Sequence, residues 1–335
     1  MPNTKRVIFI LPLNELSGSC VSAVALANIL IEQGYTVDFV CPKGNFIAPS
    51  CTIDVIGFNL IKCFRNFLKI RALVKKSDLT IFFTIRNTPL AMFFGRKAIL
   101  YLHEIDVNPK ALFIIVATFI KLFFKYRLVV NPAMESIYGP SQLLSNFKDF
   151  EQHLLVPDKF HDFIMVSNCT VKKGVLDYLE LAKQLPKKTF VLLTVNTPSN
   201  SIVYDFILEN APPNLLVSTD QGRKLELISG AKFLLNLSHL DETFGLTLLE
   251  AVTLGTIPLS FENTGSKFFY QNDAYFIPRD NMVISIIEKI NRLESIYFSN
   301  LHSLQSMAKH RFSSAVCLGT FISIFDKFSF KNKGG

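Results

Sequence analysis

Short apolar runs alternate with helix-period segments along the first half of the chain. The runs are "RVIFILPL" (6–13), "TVDFVCP" (36–42), "LTIFFT" (79–84), "KAILYLHE" (97–104) and "YRLVVNP" (126–132). Their near-continuous apolar character predicts strands buried on both faces, as in a parallel sheet covered by helices. "SCVSAVALANILIEQG" (19–34), "NLIKCFRNFLKIRALVKK" (59–76) and "PKALFIIVATFIKLFFK" (109–125) lie between them and are helical in period. The first run begins with charge and then turns apolar, like a secretory leader. Polar "NELSGS" follows at once without a cleavage site, so 6–13 is read as a first buried strand.

The pattern then restarts. Strands are predicted at 162–168, 189–196, 214–219, 232–238 and 256–261, and helices at 174–185, 201–210, 222–230 and 245–254. Two doubly wound α/β units in series follow from this. They join around 150–160, where "VPDKFHD" reads as a linker. Two more helices are expected at 281–295 and 310–328, and "KNKGG" reads as a frayed end. Ligands of such sheets sit at the carboxyl ends of the strands, so two facing sheets predict a site in the cleft between them.

Composition narrows the partners. Of 335 residues, 49% are hydrophobic and 19% charged, enough apolar material for two cores. A formal net charge of +8 favours anionic partners. No basic block with interleaved aromatics and no zinc-finger spacing occurs, so no nucleic acid partner is expected. The six cysteines are scattered without a C-x-x-C pair, which points to a reducing, cytoplasmic compartment. The longest strongly apolar run, "ALFIIVATFI" (111–120), is short of the roughly 18 residues that span a membrane. Histidines in no H-x-H or H-E-x-x-H spacing predict no metal site.

"SHLDETFGLTLLEAVTLGTIPLS" (238–260) keeps a carboxylate inside an apolar helix. Leu246, Leu248, Leu249, Ala251, Val252 and Leu254 surround that helix and predict its burial. Thr243, Thr247 and Glu250 form its polar line. Glu250 has no basic residue three or four positions away, and a buried carboxylate without a partner is costly. It must meet a backbone donor, a distant cation or a ligand hydroxyl. Gly245 opens the helix where bare amides favour phosphate, and Glu242 lies just before it. The plainer reading is that Asp241, Glu242 and Thr243 only cap the helix.

"ETFGLTLLEAVTLGTIP" resembles the E-x7-E motif of retaining GT-B glycosyltransferases of family 4. The resemblance implies an α/β GT-B architecture of two Rossmann-like, doubly wound parallel-sheet domains with an interdomain cleft. The first domain would span 1–155 and the nucleotide-sugar domain 156–309, with a helix in 310–335 crossing back to the first. It also implies that Glu242 approaches the donor sugar, that Glu250 binds the nucleotide ribose, and that the backbone of Phe244, Gly245, Leu246 and Thr247 meets phosphate or sugar.

Other pieces fall in the family's order. Gly18 matches the second glycine of the first βα loop, with Ser17 in place of the first. His103 of "YLHEID" matches a histidine that faces the donor sugar. Lys173 of "NCTVKKG" matches the lysine that neutralises the diphosphate, while Asn168 stands where an arginine is usual. "NTGS" (263–266) departs from the family's G-G-x-x-E loop. The implied co-substrate is a UDP- or GDP-linked sugar, with no metal or other cofactor; the absence of D-x-D agrees.

The implied acceptor is a hydroxyl of a polysaccharide or lipid-linked oligosaccharide of the bacterial surface glycan type, at the cytoplasmic face of the membrane. The basic segments 59–76 (Lys62, Arg65, Lys69, Lys76) and 109–127 (Lys121, Lys125, Arg127) suit peripheral contact with anionic lipid. Their plainer reading is two sheet-packed helices with solvated lysines. Two other functional readings stay open: a catalytically silent GT-B subunit and a sugar-nucleotide epimerase.

Overall fold

The computed structural model describes residues 5–15, 17–49, 51–52, 60–105, 107–150, 158–270 and 273–333. Most of the expected junction near 150–160 lies outside them, as do the side chains of Lys62 and Arg65. The chain divides into two compact units, Met1–Phe147 with Ser314–Gly335, and Lys148–Ser313.

The sheet of unit 1 contains β1 (Arg6–Ile10), β2 (Thr36–Cys41), β3 (Cys51–Thr52), β4 (Leu79–Phe83), β5 (Ala98–Leu102), β6 (Arg127–Val129) and β7 (Gln142–Leu143). Their order is β3-β2-β1-β4-β5-β6-β7, with every pair parallel. The helices are α1 (Gly18–Glu32), α2 (Leu60–Val74), α3 (Thr88–Ala91), α4 (Lys110–Phe123) and α5 (Glu135–Tyr138).

Unit 2 repeats the plan with β8 (His161–Val166), β9 (Phe190–Leu193), β10 (Leu215–Ser218), β11 (Ala231–Asn236), β12 (Ile257–Phe261) and β13 (Phe276–Ile277). Their order is β10-β9-β8-β11-β12-β13, again all parallel. Its helices are α6 (Val175–Gln184), α7 (Ser201–Asn210), α8 (Lys224–Ser229), α9 (Leu246–Thr253), α10 (Thr264–Phe269), α11 (Met282–Glu294) and α12 (Tyr297–Phe312). α13 (Ser314–Lys333) belongs to unit 1. In each sheet the strand order reverses once, between β1 and β4 and between β8 and β11. Those switch points are where such sheets open a crevice for ligands.

Phenylalanine explains itself as core. Phe9, Phe82 and Phe83 are fully buried in unit 1, joined by Phe321, Phe325 and Phe328 of α13. Phe163, Phe190 and Phe233 line the other core, with Phe163 stacked on Phe190 at 4.8 Å. Each such side chain contributes about 1.5–3 kcal/mol by leaving water.

Two differences from the sequence reading have physical causes. The runs overreach the strands at their carboxyl ends: after β1 the chain turns into a loop that stays apolar through Leu13, and after β5 it leaves the sheet at His103 and Glu104. The single helix expected over 310–328 is two helices broken at Ser313, which is extended (φ −76°, ψ 159°). The Phe312 carbonyl accepts from Lys148 N at 3.0 Å instead of serving a continuing helix. α12 before the break carries a weak apolar stripe, Leu301, Leu304, Ala308 and Phe312, all buried.

Candidate functional site

In unit 2 the site is built from glycine contacts outward. After β8 the chain makes a tight turn over Val171–Lys173 and reaches Gly174 at φ 79°. A Cβ on Gly174 would lie 2.1 Å from the Leu237 carbonyl oxygen, so only glycine lets this turn rest against the end of β11. His239 N donates to Lys172 O at 2.9 Å and fixes the same approach. Lys173 is thereby brought to Glu242, with Nζ 2.7 Å from Oε1. Asn236, the last residue of β11, donates from Nδ2 to the other carboxylate oxygen at 3.1 Å. Both oxygens of Glu242 are therefore held, while the pair keeps partial exposure.

The loop from Glu242 feeds α9. Gly245 caps the helix in the left-handed region (φ 78°, ψ 63°), so the helix begins at Leu246, one residue later than expected, and Thr243 lies in the loop before it. Phe244 points inward, 5.1 Å from the Phe312 ring and 6.1 Å from that of Phe268. Leu246 and Thr247 are half-buried in the first turn, where Leu248 N donates back to Gly245 O at 2.9 Å.

The departed "NTGS" loop supports this segment. Asn263 and Ser266 form a reciprocal cap on α10, and Thr264 donates from N (2.7 Å) and Oγ1 (2.8 Å) to the Asp241 carboxylate. A Cβ on Gly265 would meet Phe244 N at 2.7 Å and Glu242 O at 2.9 Å.

Glu250 finds distant cations. Its side chain is 8% exposed, with Lys148 Nζ 3.2 Å from Oε1 and Lys224 Nζ 2.7 Å from Oε2. Two ammonium groups offset the desolvation of one buried carboxylate. Neither lysine is near Glu250 in sequence, and no local pattern announces them.

His239 joins two further elements. Its Nε2 lies 2.6 Å from Asp177 Oδ2 and its Nδ1 2.7 Å from Arg279 Nη1. Arginine only donates, so Nδ1 accepts and the ring proton sits on Nε2, facing Asp177. The Arg279 guanidinium also stacks 4.9 Å over Phe261. Asn168 follows β8 with an exposed side chain.

Unit 1 holds Gly18 and His103. Gly18 is the first residue of α1, behind the extended Ser17, and its carbonyl accepts from Ser22 Oγ at 2.8 Å. His103 follows β5, with its ring 4.3 Å from that of Tyr101 and stacked on Phe83 at 5.9 Å. Burial pushes its pKa down to about 3, so the ring is neutral. Its Nε2 has no hydrogen-bond partner among the described residues.

Two neighbours of His103 went unnoticed in the sequence. Thr84, at the end of β4, is buried at φ 69° and ψ 157°, a region nearly reserved for glycine. Its Oγ1 is unpaired among the described residues, as is Asn87 Oδ1, although Asn87 Nδ2 donates to Ile10 O and Phe83 O. A threonine at a strand end carries no sequence mark of such a backbone.

Thus Lys173, Glu242, Gly245 and the first turn of α9 converge in unit 2. Glu250 lies farther along α9, and Gly18 and His103 belong to unit 1. Among the described residues no group of three or more His, Cys, Asp or Glu side chains is placed to hold a metal ion. No protein-family model matches the chain, and no curated protein matches it.

Solved structures do match. A glycosyltransferase from Rickettsia africae aligns with a TM-score of 0.78 at 15% identity, over 97% of this chain and 99% of that one. HepE of Anabaena in complex with UDP-glucose aligns with a TM-score of 0.78 at 12% identity, over 95% and 99%. An α-glucosyltransferase in complex with UDP and a mismatched DNA 13-mer aligns with a TM-score of 0.68 at 15% identity, over 96% and 100%.

The fold is GT-B. At these identities the likeness is one of fold, and it spans both units. In GT-B terms Lys173, Glu242 and α9 occupy the carboxyl end of the second sheet, beside its switch point.

Proposed function

We propose that the chain is a retaining glycosyltransferase. It would move a hexosyl group from a nucleotide-diphosphate donor to a hydroxyl of a polysaccharide or lipid-linked acceptor at the cytoplasmic membrane face. The observation that carries the reading is the Lys173–Glu242 pair held beside the amide-bearing start of α9. A cation and a helix N-terminus suit a diphosphate, and a carboxylate next to them suits sugar hydroxyls.

In this reading the donor diphosphate takes Lys173 from Glu242, which is then free to accept from the sugar. Charge developing on the leaving diphosphate is met by Lys173 and the backbone from Phe244 to Thr247, without a metal. Glu250, paired with Lys148 and Lys224, accepts from the ribose. Gly18 backbone would approach the diphosphate, and the unpaired Nε2 of His103 supports a role toward the sugar. The acceptor proton leaves with the phosphate. The UDP-glucose complex of HepE supports a uridine donor.

Thermal stabilisation by UDP, GDP, ADP and their sugar conjugates tests this, because a ligand of the folded state raises the melting midpoint by mass action. One nucleotide should shift the wild type, and Glu250→Gln should lose most of that shift. No shift from any nucleotide at millimolar levels overturns the reading. A second reading, a silent GT-B subunit, is favoured by one observation: the exposed, neutral Asn168 where the family resemblance calls for an arginine. Nucleotide binding without UDP release in the presence of acceptor would select it.

A further inference from the structure

We infer that the outer face of α4 is a docking surface for an anionic lipid bilayer. α4 is apolar on two sides. Phe113, Ala117, Ile120 and the following Phe124 face the core of unit 1. On the opposite stripe Leu112 (54% exposed), Ile115 (65%) and Leu122 (71%) face outward, flanked by exposed Ile114 and Phe123. A helix apolar all round belongs in a core or against lipid, and this one is covered on one side only. Fourteen residues rise about 21 Å, too short to cross a bilayer, so it would lie in the interface.

The patch continues beyond α4. The connections β3–β4, β4–β5 and β5–β6 all step the same way across the sheet. Right-handed crossovers therefore put α2, the β4–β5 segment and α4 on one face. Exposed Leu68, Met92 and Phe93 lie on the first two of these. The charge around them has one sign: Lys69, Arg71, Lys110, Lys121 and Lys125 are exposed, and no acidic residue occurs between Asp106 and Glu135. A second copy of the chain would bring the same lysines against these. Anionic headgroups complement them, and acyl chains take the leucine and isoleucine side chains.

The docking geometry is independent of the transferase reading. Its purpose, to hold the enzyme where a lipid-linked acceptor lies, rests on that reading. Co-sedimentation of the full chain with vesicles tests it. The protein should pellet with phosphatidylcholine vesicles that carry phosphatidylglycerol, and less with phosphatidylcholine alone. Ile115→Glu and Leu122→Glu should each weaken binding about tenfold, the loss of one buried aliphatic side chain. Lys121→Gln with Lys125→Gln should reduce binding to the charged vesicles toward the neutral level. Unchanged circular dichroism would show that the variants fold, since all four side chains are exposed.

Three results would overturn the inference. The wild type stays in the supernatant at low salt, or the glutamate variants pellet as it does. In the third, the wild type is a dimer in solution that Leu122→Glu splits, so that a second copy covers the face. Nucleotide-induced stabilisation, measured on the same samples, reports separately on the transferase reading.

Discussion

The two sheets end differently. At the carboxyl edge of unit 2 the charged groups are paired: Lys173 with Glu242, Glu250 with Lys148 and Lys224, Asp177 beside His239. Buried polar atoms without a hydrogen-bond partner among the described residues occur there too, Asn263 Nδ2 and Glu250 Oε2 among them, the latter meeting Lys224 only as an ion pair. At the edge of unit 1, His103 is neutral, the Glu104 carboxylate accepts from His103 N and Ile85 N at 3.1 Å each, and Thr84 Oγ1, Asn87 Oδ1 and His103 Nε2 have no partner among the described residues. A paired edge suits a charged ligand that exchanges partners. An edge with spare polar atoms beside a carboxylate already held by backbone N–H groups suits hydroxyls. The same fold thus supplies two chemistries by the loops after its strands.

The hardest test of the contrast is Gly174→Ala. A methyl group 2.1 Å from a backbone carbonyl, at a positive φ, cannot be absorbed without moving the turn that delivers Lys173. A loss of about 3–5 kcal/mol is expected, with the melting midpoint of unit 2 lowered by about 10 °C. Nucleotide-induced stabilisation should vanish with it. A variant as stable as wild type would mean that the turn is loose and Lys173 is not fixed by Gly174.

Lys173→Met comes next and leaves the fold intact, because Glu242 keeps Asn236 and partial exposure. If the proposed transfer holds, its rate, followed by release of the nucleoside diphosphate, should fall about a hundredfold, the usual scale for removing one group that meets developing charge. Undiminished transfer would move the diphosphate elsewhere, with Arg279 the first alternative to examine by substitution.

Much of this was legible in the sequence. The alternation of apolar runs and helical periods gave the central strands of both sheets, since buried parallel strands leave that mark, but not the two-residue edge strands β3, β7 and β13, which are too short to carry a pattern. Motif spacing singled out Glu242, Gly245 and Lys173, which the fold brings together; their roles belong to the proposal. What stayed hidden was long-range or conformational. Lys148 and Lys224 reach Glu250 from remote segments, Thr264 holds Asp241 across two loops, and the break at Ser313 depends on a bond from Lys148. Thr84 was hidden for another reason: its strain lies in the backbone, which a side-chain pattern does not report.

Thr84 sharpens the comparison in the opposite direction to Gly174. Thr84→Gly relieves a conformation costing about 1–3 kcal/mol and removes an unpaired buried hydroxyl, against an entropic cost of about 0.5–1 kcal/mol for glycine. The variant should be more stable by about 1 kcal/mol, read as a raised denaturant midpoint. If Thr84 faces an acceptor, KM for that acceptor should rise while the nucleotide response stays unchanged. A destabilised variant would make the hydroxyl a structural group with a partner that the contrast denies it.

His103 gives the smallest effect and the one with a defined pH window. Its folded pKa is pushed down to about 3 by burial, whereas an unfolded histidine titrates near 6.5. Between those values the unfolded chain binds a proton that the folded chain does not. The contribution of neutral His103 is therefore fully present above about pH 6.5 and is lost as the pH falls toward 3. Between about pH 7.5 and 5.5 the effect amounts to about 1 kcal/mol. His103→Gln should lose less stability than wild type over that interval, in parallel melts at the two pH values. Equal losses would mean that His103 titrates normally. Its ring would then not be held in the desolvated setting between Tyr101 and Phe83, and the spare Nε2 assigned to this edge would not be that of a neutral imidazole.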